Sequence, residues 1–253
     1  MSISVIFVIK NAIKNGYCFI EALQSCLPFA DEIIISEGYS EDGTMDYLQK
    51  FLTKSKVPVG IYQDRWEDKS YVGEAITKVS EINVDRATCD WVYLLQADEI
   101  IHEKLVACIK NVSNMPQYNS VMFGFNHFIK AWAPDKNPAY KEAIRMVRRK
   151  SNPILKGDAW SFYVAMPVYA SNFLPQKIFH FPWVFPKTDD IKHIEHSNIY
   201  QNIPEYQEKM RMACRNLYTE KIPYPVDPNY DDFPELAKRF VGALEYTLPE
   251  DYR

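Results

Sequence analysis

WVYLLQADEI, residues 91–100, joins an apolar run directly to two adjacent carboxylates, Asp98 and Glu99, with the amide of Gln96 just before them. An uninterrupted apolar run of this kind is typical of a strand that is buried on both faces of a sheet. Helices cover such a strand in α/β proteins. The polar residues that follow it would then lie at the carboxyl edge of the sheet, where open α/β sheets bind their ligands.

Three similar runs precede this one, at residues 4–10, 31–36 and 57–63. After each of the four runs, apolar residues recur at the spacing of a helix, and these segments begin near Phe19, Met45, Val72 and Leu105. Strand and helix therefore alternate four times. This alternation predicts an α/β fold with a mostly parallel sheet and helices on both faces.

The alternation stops in the second half of the chain. SVMFGFNHF (120–128) and EAIRMVRR (142–149) resemble strands without a helix between them, which predicts a mixed or antiparallel continuation of the sheet. Further on, we expect a polar helix near 204–219, a Pro- and Tyr-rich tract at 222–234 and a last helix near 234–246. The predicted organisation is an α/β domain over 1–190 and a helical extension over 191–253 that packs on it.

Length and composition narrow the class of protein. A chain of 253 residues with 47% hydrophobic and 25% charged residues can bury a full core. Its net charge of −4 offers no global electrostatic reason to bind nucleic acid. Five cysteines without a C-x-x-C pair favour a reducing compartment, and the first apolar run is too short to cross a bilayer. We expect a cytoplasmic protein with no transmembrane segment and no nucleic-acid partner, and the oligomeric state stays open.

The ends of three predicted strands carry polar residues. These are Lys10 and Asn11 after the first, SEGYSEDGT (36–44) after the second and QADE (96–99) after the fourth. The chain has neither a G-x-G-x-x-G segment after the first strand nor a P-loop motif, so neither class of nucleotide site is supported. The crevice is acidic, and an anionic nucleotide would need a divalent cation such as Mg²⁺ or Mn²⁺ between it and Asp98.

Taken in order, the segments ISVIFVIKNA (3–12), ADEIIISEGYSEDGT (30–44) and DWVYLLQADE (90–99) resemble the family 2 glycosyltransferases of the GT-A fold. In that family the first strand ends in V-K-N-E, the second in D-x-G-S-T-D-G-T and the fourth in D-A-D-E. The resemblance implies a GT-A-like, Rossmann-like domain. It also implies metal-dependent, inverting transfer of a sugar from a nucleotide diphosphate sugar to a hydroxyl of a glycan or other acceptor.

The resemblance assigns roles residue by residue. Lys10 and Asn11 would border the base of the nucleotide, and Glu37 stands where the family has an aspartate that contacts the base. Gln96 occupies the first position of the family's D-x-D motif, and Asp98 occupies the last, which binds Mn²⁺ or Mg²⁺ on the diphosphate.

The chain departs from the family pattern at Ala12, Glu37, Tyr39 and Gln96, which replace Glu, Asp, Gly and Asp. A glutamine can hydrogen-bond a ribose hydroxyl but is a poor metal ligand. Asp98 is therefore the one acid kept from the D-x-D motif, and a non-catalytic copy of the fold stays open as an alternative.

Three later segments resemble the family more loosely. RMVRRK (145–150) is similar to a strand that supplies arginines, which implies that Arg148 belongs to the donor site. GDAW (157–160) falls where such enzymes place the general base, which implies Asp158. IFHFPWV (178–184) resembles a late histidine motif and implies His180 as a second metal ligand.

Each assignment has a structural alternative. Asp98 and Glu99 would serve equally as caps of a helix that starts near His102. His180 lies among Phe, Pro and Trp, as a core histidine would. For the base, Glu142, Asp135 and Glu99 compete with Asp158.

Two other functions also fit parts of the pattern. One is a non-catalytic nucleotide- or sugar-binding protein, because Gln96 weakens the metal motif. The other is a sugar nucleotidyltransferase, although KNAIKNG (10–16) is a poor version of the Gly-rich, basic loop that such enzymes carry after the first strand. The sequence specifies neither the nucleotide nor the sugar nor the acceptor.

Overall fold

A computed structural model describes residues 1–66, 72–129, 133–134, 138–163, 166–183, 232–238 and 248–252. The first half of the chain alternates strand and helix, as the sequence predicts. Its elements are β1 (Ile3–Ile9), α1 (Phe19–Cys26), β2 (Glu32–Glu37), α2 (Thr44–Lys54), β3 (Val59–Gln63), α3 (Val72–Arg86) and β4 (Trp91–Leu95).

The second half adds mainly strands. Its elements are β5 (Glu99–Ile100), α4 (Glu103–Ser113), β6 (Ser120–Ile129), β7 (Ala133–Pro134), β8 (Glu142–Arg148), β9 (Leu155–Lys156), β10 (Ser161–Phe162), β11 (Val168–Tyr169), β12 (Ile178–Trp183) and α5 (Glu235–Lys238). The sequence pattern does not predict β5, because two residues are too few to show a periodicity.

The main sheet has the strand order β3-β2-β1-β4-β8-β6-β12-β5, with β7 and β11 paired to β6. The first four strands of this order are parallel to one another. β8 is antiparallel to both of its neighbours, β12 runs parallel to β6, and β5 is antiparallel to β12. The predicted fold class, with a parallel first half and a mixed second half, is confirmed.

Helices cover both faces of the sheet, because alternate residues of each strand point to opposite sides. In β1, Val5 and Phe7 belong to a core that includes residues of α1, α2 and α4. Ile6, between them, belongs to a second core that includes Val84 of α3. Both faces of β4 are buried, which explains its uninterrupted apolar sequence.

The register of the parallel strands brings their carboxyl ends to one edge. Glu37, the last residue of β2, lies opposite both Ile9 in β1 and Gln63 in β3. Leu95, the last residue of β4, lies opposite Phe7 in β1. The loops that follow these strands therefore leave the sheet side by side.

Parts of the C-terminal region pack on this domain. The ring of Phe233 lies 5.2 Å from that of Phe128 and 5.3 Å from that of Phe179. Near the end of the chain, Lys50 Nζ donates a hydrogen bond to the carbonyl of Tyr252 at 3.1 Å. The predicted helix near 204–219 lies outside the described residues, and the predicted last helix is described only over α5. The domain boundary at 190 stays a prediction.

The described cysteines are free thiols, Cys18, Cys26, Cys89 and Cys108, while Cys214 lies outside the described residues. Burial raises the pKa of the Cys26 thiol, so Cys26 behaves as a small core residue. In the part of the chain that the structure describes, none of the helices combines the length and the apolar character that crossing a membrane requires.

Candidate functional site

The turn between β4 and β5 presents Asp98 at the carboxyl edge of the sheet. The backbone N–H of Gln96 donates to the carboxylate of Glu99 at 3.2 Å, and the N–H of Glu99 donates to the carbonyl of Gln96 at 3.2 Å. The N–H of Phe181 in β12 donates to the carbonyl of Asp98 at 2.8 Å. The backbone of the turn that carries Asp98 is thus fixed both internally and to a distant strand.

His180 is the polar side chain that β12 brings to Asp98. Its Nε2 lies 3.5 Å from Asp98 Oδ1, and the two side chains are 11% and 16% exposed. A carboxylate oxygen and an imidazole nitrogen, side by side and not completely buried, form a donor pair that suits a divalent metal ion. The structure brings the two predicted metal ligands together although they lie on different strands.

The cap of α4 is not the predicted carboxylate pair. His102 is the N-cap, and its Nδ1 accepts a hydrogen bond from the backbone N–H of Lys104 at 3.1 Å. The alternative in which Asp98 and Glu99 cap this helix is therefore wrong.

A second histidine lies behind His180. His127 is opposite His180 in the pairing of β6 with β12, and the two Nδ1 atoms are 2.7 Å apart. His127 is buried, stacks on Phe125 with ring centroids 5.5 Å apart, and contacts Tyr140 edge-on at 4.8 Å. Burial, followed by the neighbouring His180, lowers the pKa of His127 to about 4, so this imidazole is neutral at physiological pH.

The sequence does not indicate the contact between His127 and His180. The two residues are 53 positions apart, and only the strand pairing places them together. No periodicity or motif in the sequence marks this relationship.

Glu99 forms a fully buried ion pair with Arg145 of β8. The Arg145 guanidinium also donates hydrogen bonds to the carbonyls of Trp160 at 2.5 Å and Ala159 at 3.2 Å. Because the Glu99 carboxylate is neutralised and has no exposed surface, it is not available to a substrate as a base.

Gln96 completes this cluster. Its Oε1 accepts a hydrogen bond from Arg145 Nη2 at 3.0 Å, which turns its amide NH₂ away from the guanidinium. With a single arginine already paired to Glu99, a neutral side chain at position 96 avoids a second negative charge in the cluster. The departure from the family's aspartate therefore matches the charge of its surroundings.

The loops after β1 and β2 are tied together at the same edge. The N–H of Asn11 donates to Ser40 Oγ at 2.8 Å, and Asn11 Oδ1 accepts from the N–H of Glu41 at 3.0 Å. Asn11 has a φ of 50° and Tyr39 a φ of 55°, so both adopt the left-handed conformation that few non-glycine residues occupy. Backbone strain of this kind clusters at functional sites.

Lys10 and Glu37, the other two residues predicted to border the base, have different surroundings. The Lys10 ammonium lies 5.7 Å from the centroid of the Trp66 ring. Glu37 is fully buried, and its carboxylate accepts hydrogen bonds from the backbone N–H groups of Ser40 at 2.6 Å and Tyr39 at 3.1 Å. In this structure Glu37 holds its own loop, and its predicted contact with a base stays a prediction.

Asp158 lies in a turn at residues 157–160 between β9 and β10. Gly157 and Ala159, on either side of it, have positive φ values of 63° and 60°. Thr77 Oγ1 anchors the turn by donating to the carbonyl of Gly157 at 2.6 Å. The ring of Trp160, at the end of the turn, stacks on Tyr140 at 5.2 Å.

Tyr140 links this turn to the acidic edge. Burial raises the pKa of the Tyr140 phenol above its ordinary range; Arg145 opposes this rise, and the charges of Glu99, Asp98 and Asp158 add to it. The carbonyls of Ala159 and Trp160 accept hydrogen bonds from Arg145, which is paired with Glu99, so the turn that carries Asp158 lies beside this ion pair.

Arg148 does not lie beside Asp98 and His180. It lies opposite Trp91, the first residue of β4, and its guanidinium donates to the carbonyls of Tyr118 at 2.8 Å and Met115 at 3.0 Å. Because β8 runs antiparallel to β4, Arg145 lies nearer the carboxyl end of β4 than Arg148 does. Arg145, not Arg148, is the arginine that the structure places beside the predicted site.

Two other carboxylates that the sequence offers as the general base are Glu142 and Asp135. Glu142 is exposed at the start of β8 and accepts a hydrogen bond from Ser171 Oγ. Asp135 lies outside the described residues.

No protein-family model and no curated protein sequence matches the chain. Among solved structures, the chain is similar to TarS of S. aureus, with a TM-score of 0.48 and 12% identity over 87% of this chain and 44% of the TarS chain. A TarS fragment in complex with UDP-GlcNAc gives a TM-score of 0.49 and 11% identity over 86% of this chain and 72% of that one.

A third similar structure is glucosyl-3-phosphoglycerate synthase from Mycobacterium tuberculosis in complex with Mn²⁺, UDP and glucosyl-3-phosphoglycerate. Its TM-score is 0.38 and its identity 15%, over 62% of this chain and 61% of that one. The chain thus spans less than half of the first TarS chain. With TM-scores below 0.5 and identities of 15% or less, these likenesses carry nothing about substrate, metal or activity.

Proposed function

We propose that the protein is a metal-dependent glycosyltransferase that moves a sugar from a nucleotide diphosphate sugar to an acceptor hydroxyl, with inversion at the anomeric carbon. The observation that carries the proposal is the 3.5 Å approach of His180 Nε2 to Asp98 Oδ1 at the carboxyl edge of the sheet. The three sequence segments that resemble family 2 glycosyltransferases end at the same edge, which supports this choice of chemistry.

The residues present fit a divalent cation. Asp98 and His180 would hold Mn²⁺ or Mg²⁺ as a carboxylate oxygen and an imidazole nitrogen. Within the described residues no group of three metal-binding side chains occurs, so oxygens of the diphosphate and of water would complete the shell, as is usual for Mg²⁺ with nucleotides. The cation would offset the charge that develops on the departing nucleoside diphosphate.

The loops after β1 and β2 would hold the nucleoside. Lys10 and Asn11 would border the base, and Glu37 would shape this place, because it fixes the backbone of Tyr39 and Ser40. The amide NH₂ of Gln96 would donate a hydrogen bond to a ribose or phosphate oxygen, because its carbonyl oxygen is held by Arg145.

Asp158 would act as the general base. Its carboxylate would accept the proton of the acceptor hydroxyl as that oxygen attacks the anomeric carbon from the face opposite the diphosphate, which inverts the configuration. Asp158 is only partly buried, whereas Glu99 is fully buried in its ion pair with Arg145. Burial therefore favours Asp158 over Glu99.

The direct test is ligand-dependent stabilisation followed by turnover. UDP, GDP, CDP and dTDP, each with and without Mn²⁺, should reveal one nucleotide that raises the melting temperature only when the metal is present. The matching nucleotide sugars should then release sugar to water or to a glycan. Metal-dependent binding without sugar release would identify a non-catalytic binder, and no stabilisation by any nucleotide would contradict the proposal.

A further inference from the structure

The contact between His127 and His180 has a consequence for the metal site. Their Nδ1 atoms are 2.7 Å apart, a hydrogen-bond distance, and each residue is 8% exposed. Two nitrogens at this distance share one proton, so one imidazole donates and the other accepts. Which of the two donates decides what the opposite nitrogen of His180 can do.

Only one arrangement leaves His180 able to bind a cation. A neutral imidazole with its proton on Nδ1 has a lone pair on Nε2, and in His180 this atom faces Asp98 Oδ1 at 3.5 Å. In the reverse arrangement His180 carries its proton on Nε2 and has no lone pair to offer there. When the Nε2 lone pair of His180 faces the Asp98 carboxylate, a cation between the two is attracted to both.

We propose that His127 is a positioning residue that accepts the Nδ1 proton of His180 and so holds His180 with Nε2 directed, as a lone pair, at a divalent cation bound beside Asp98. This inference rests on the proposed function and adds to it a residue that does not touch the ligand. Metal-binding histidines generally donate their second ring N–H to a fixed acceptor, which sets their tautomer and orientation.

The surroundings of His127 suit this role. The pairing of β6 with β12 holds it opposite His180, and its ring is fixed by Phe125 at 5.5 Å and Tyr140 at 4.8 Å. A rotation of the imidazole would break both ring contacts. The acceptor is therefore held in place by packing.

The test compares the affinity for Mn²⁺, alone and with UDP, measured from the electron paramagnetic resonance signal of the free ion. His127→Leu removes the acceptor and should weaken Mn²⁺ binding by about 10- to 100-fold, the effect typical of lost outer contacts to a metal ligand. His127→Asn places an oxygen near the position of Nδ1 and should restore most of the affinity. His102→Asn, at a buried histidine that caps α4, should bind Mn²⁺ like the wild type.

If His127→Leu binds Mn²⁺ with wild-type affinity, the inference about His127 is wrong and the metal site is unaffected. If the Leu and Asn variants lose affinity equally, His127 acts through packing and the inference is also wrong. A wild-type protein that binds no Mn²⁺ would overturn the metal site and this inference together. Should His127→Leu fail to fold, nitrogen-15 NMR of the Mg²⁺-loaded wild type decides: a proton on His180 Nδ1 supports the inference, and a proton on Nε2 overturns it.

Discussion

Arg145 and Glu99 bury their opposite charges completely, so an ion pair joins β8 to β5 directly behind the turn that carries Asp98. Such a pair is weak evidence for net stability, because the cost of removing two charges from water is large. Its geometric effect is clear. It holds Gln96 through Arg145 and fixes the residue that follows Asp98, so the candidate metal ligand stands on a rigid support.

Loss of one partner of this pair should be costly. Glu99→Gln leaves the Arg145 charge buried without a counter-charge, and we expect the free energy of unfolding to fall by about 3–5 kcal/mol. Urea unfolding measures the change. Glu103→Gln is the control, because that side chain is 52% exposed and its loss should change stability by less than about 0.5 kcal/mol. Equal stabilities for the two variants would contradict a structural role for the pair.

Asp98→Asn should abolish the part of nucleotide binding that depends on Mn²⁺, because a neutral amide replaces the charged metal ligand. The nucleotide dissociation constant with and without Mn²⁺ measures this effect. Asp90→Asn, at the opposite end of β4, is the matched control and should bind like the wild type. If Mn²⁺ strengthens nucleotide binding equally in Asp98→Asn and the wild type, Asp98 is not a metal ligand.

Gln96→Ala and Gln96→Glu distinguish the role of the amide NH₂ from that of the amide oxygen. The Ala variant loses the donor to the nucleotide and should weaken its affinity by about 1 kcal/mol, the scale of one hydrogen bond. The Glu variant keeps an oxygen for Arg145 but replaces the NH₂ donor with a carboxylate, so it should bind the nucleotide no better than the Ala variant. Calorimetric titration measures both, and wild-type affinity in Gln96→Glu would show that the amide is purely structural.

Asp158→Asn should lower kcat by about 10²- to 10⁴-fold while binding of the nucleotide sugar survives, because a base acts only on the chemical step. Initial rates and the donor dissociation constant measure the two effects separately. Glu142→Gln is the control and should keep its rate, since Glu142 is exposed and bonded to Ser171. The reverse outcome, a slow Glu142→Gln beside a full-rate Asp158→Asn, would move the base to Glu142.

Asp64→Asn should change the dependence of stability on pH. Asp64 Oδ1 and Oδ2 accept hydrogen bonds from Arg86 at 2.9 Å and 2.6 Å, and these bonds lower the pKa of the Asp64 carboxyl. Because its pKa is lowered, the ionised Asp64 carboxyl stabilises the folded state at pH values above the unfolded-state pKa of about 3.9. This stabilisation is lost as the pH falls below that pKa. We expect the variant to be less stable by about 1–2 kcal/mol at neutral pH.

The difference between wild type and Asp64→Asn should then shrink as the pH falls below about 4, because the carboxyl of the unfolded chain is protonated there while the folded carboxyl, with its lowered pKa, stays charged to a lower pH. Urea unfolding at neutral pH and at about pH 3 measures it. A difference that stays constant over this range would show that the carboxylate charge does not contribute.

The order of the main elements could be predicted from the sequence because it depends on local patterns. Buried strands such as β1 and β4 are apolar throughout, and α1, α2 and α4 repeat apolar residues at helical spacing. Asp98 and His180 could be named because they follow or lie within such strands in recognisable segments. The partners of Glu99 and Arg148 could not be predicted, since the pattern shows a charged residue but not the group that it contacts.

Only the tertiary structure decided which distant side chains meet. Arg145 and Glu99 are 46 residues apart, and His127 and His180 are 53 apart. Their contacts depend on the pairing of β8 and β6 with their neighbours, and a shift of one residue in a strand's register would turn its side chains to the other face. Periodicity determines which residues are buried, whereas register and strand order determine which buried charges and imidazoles share a hydrogen bond.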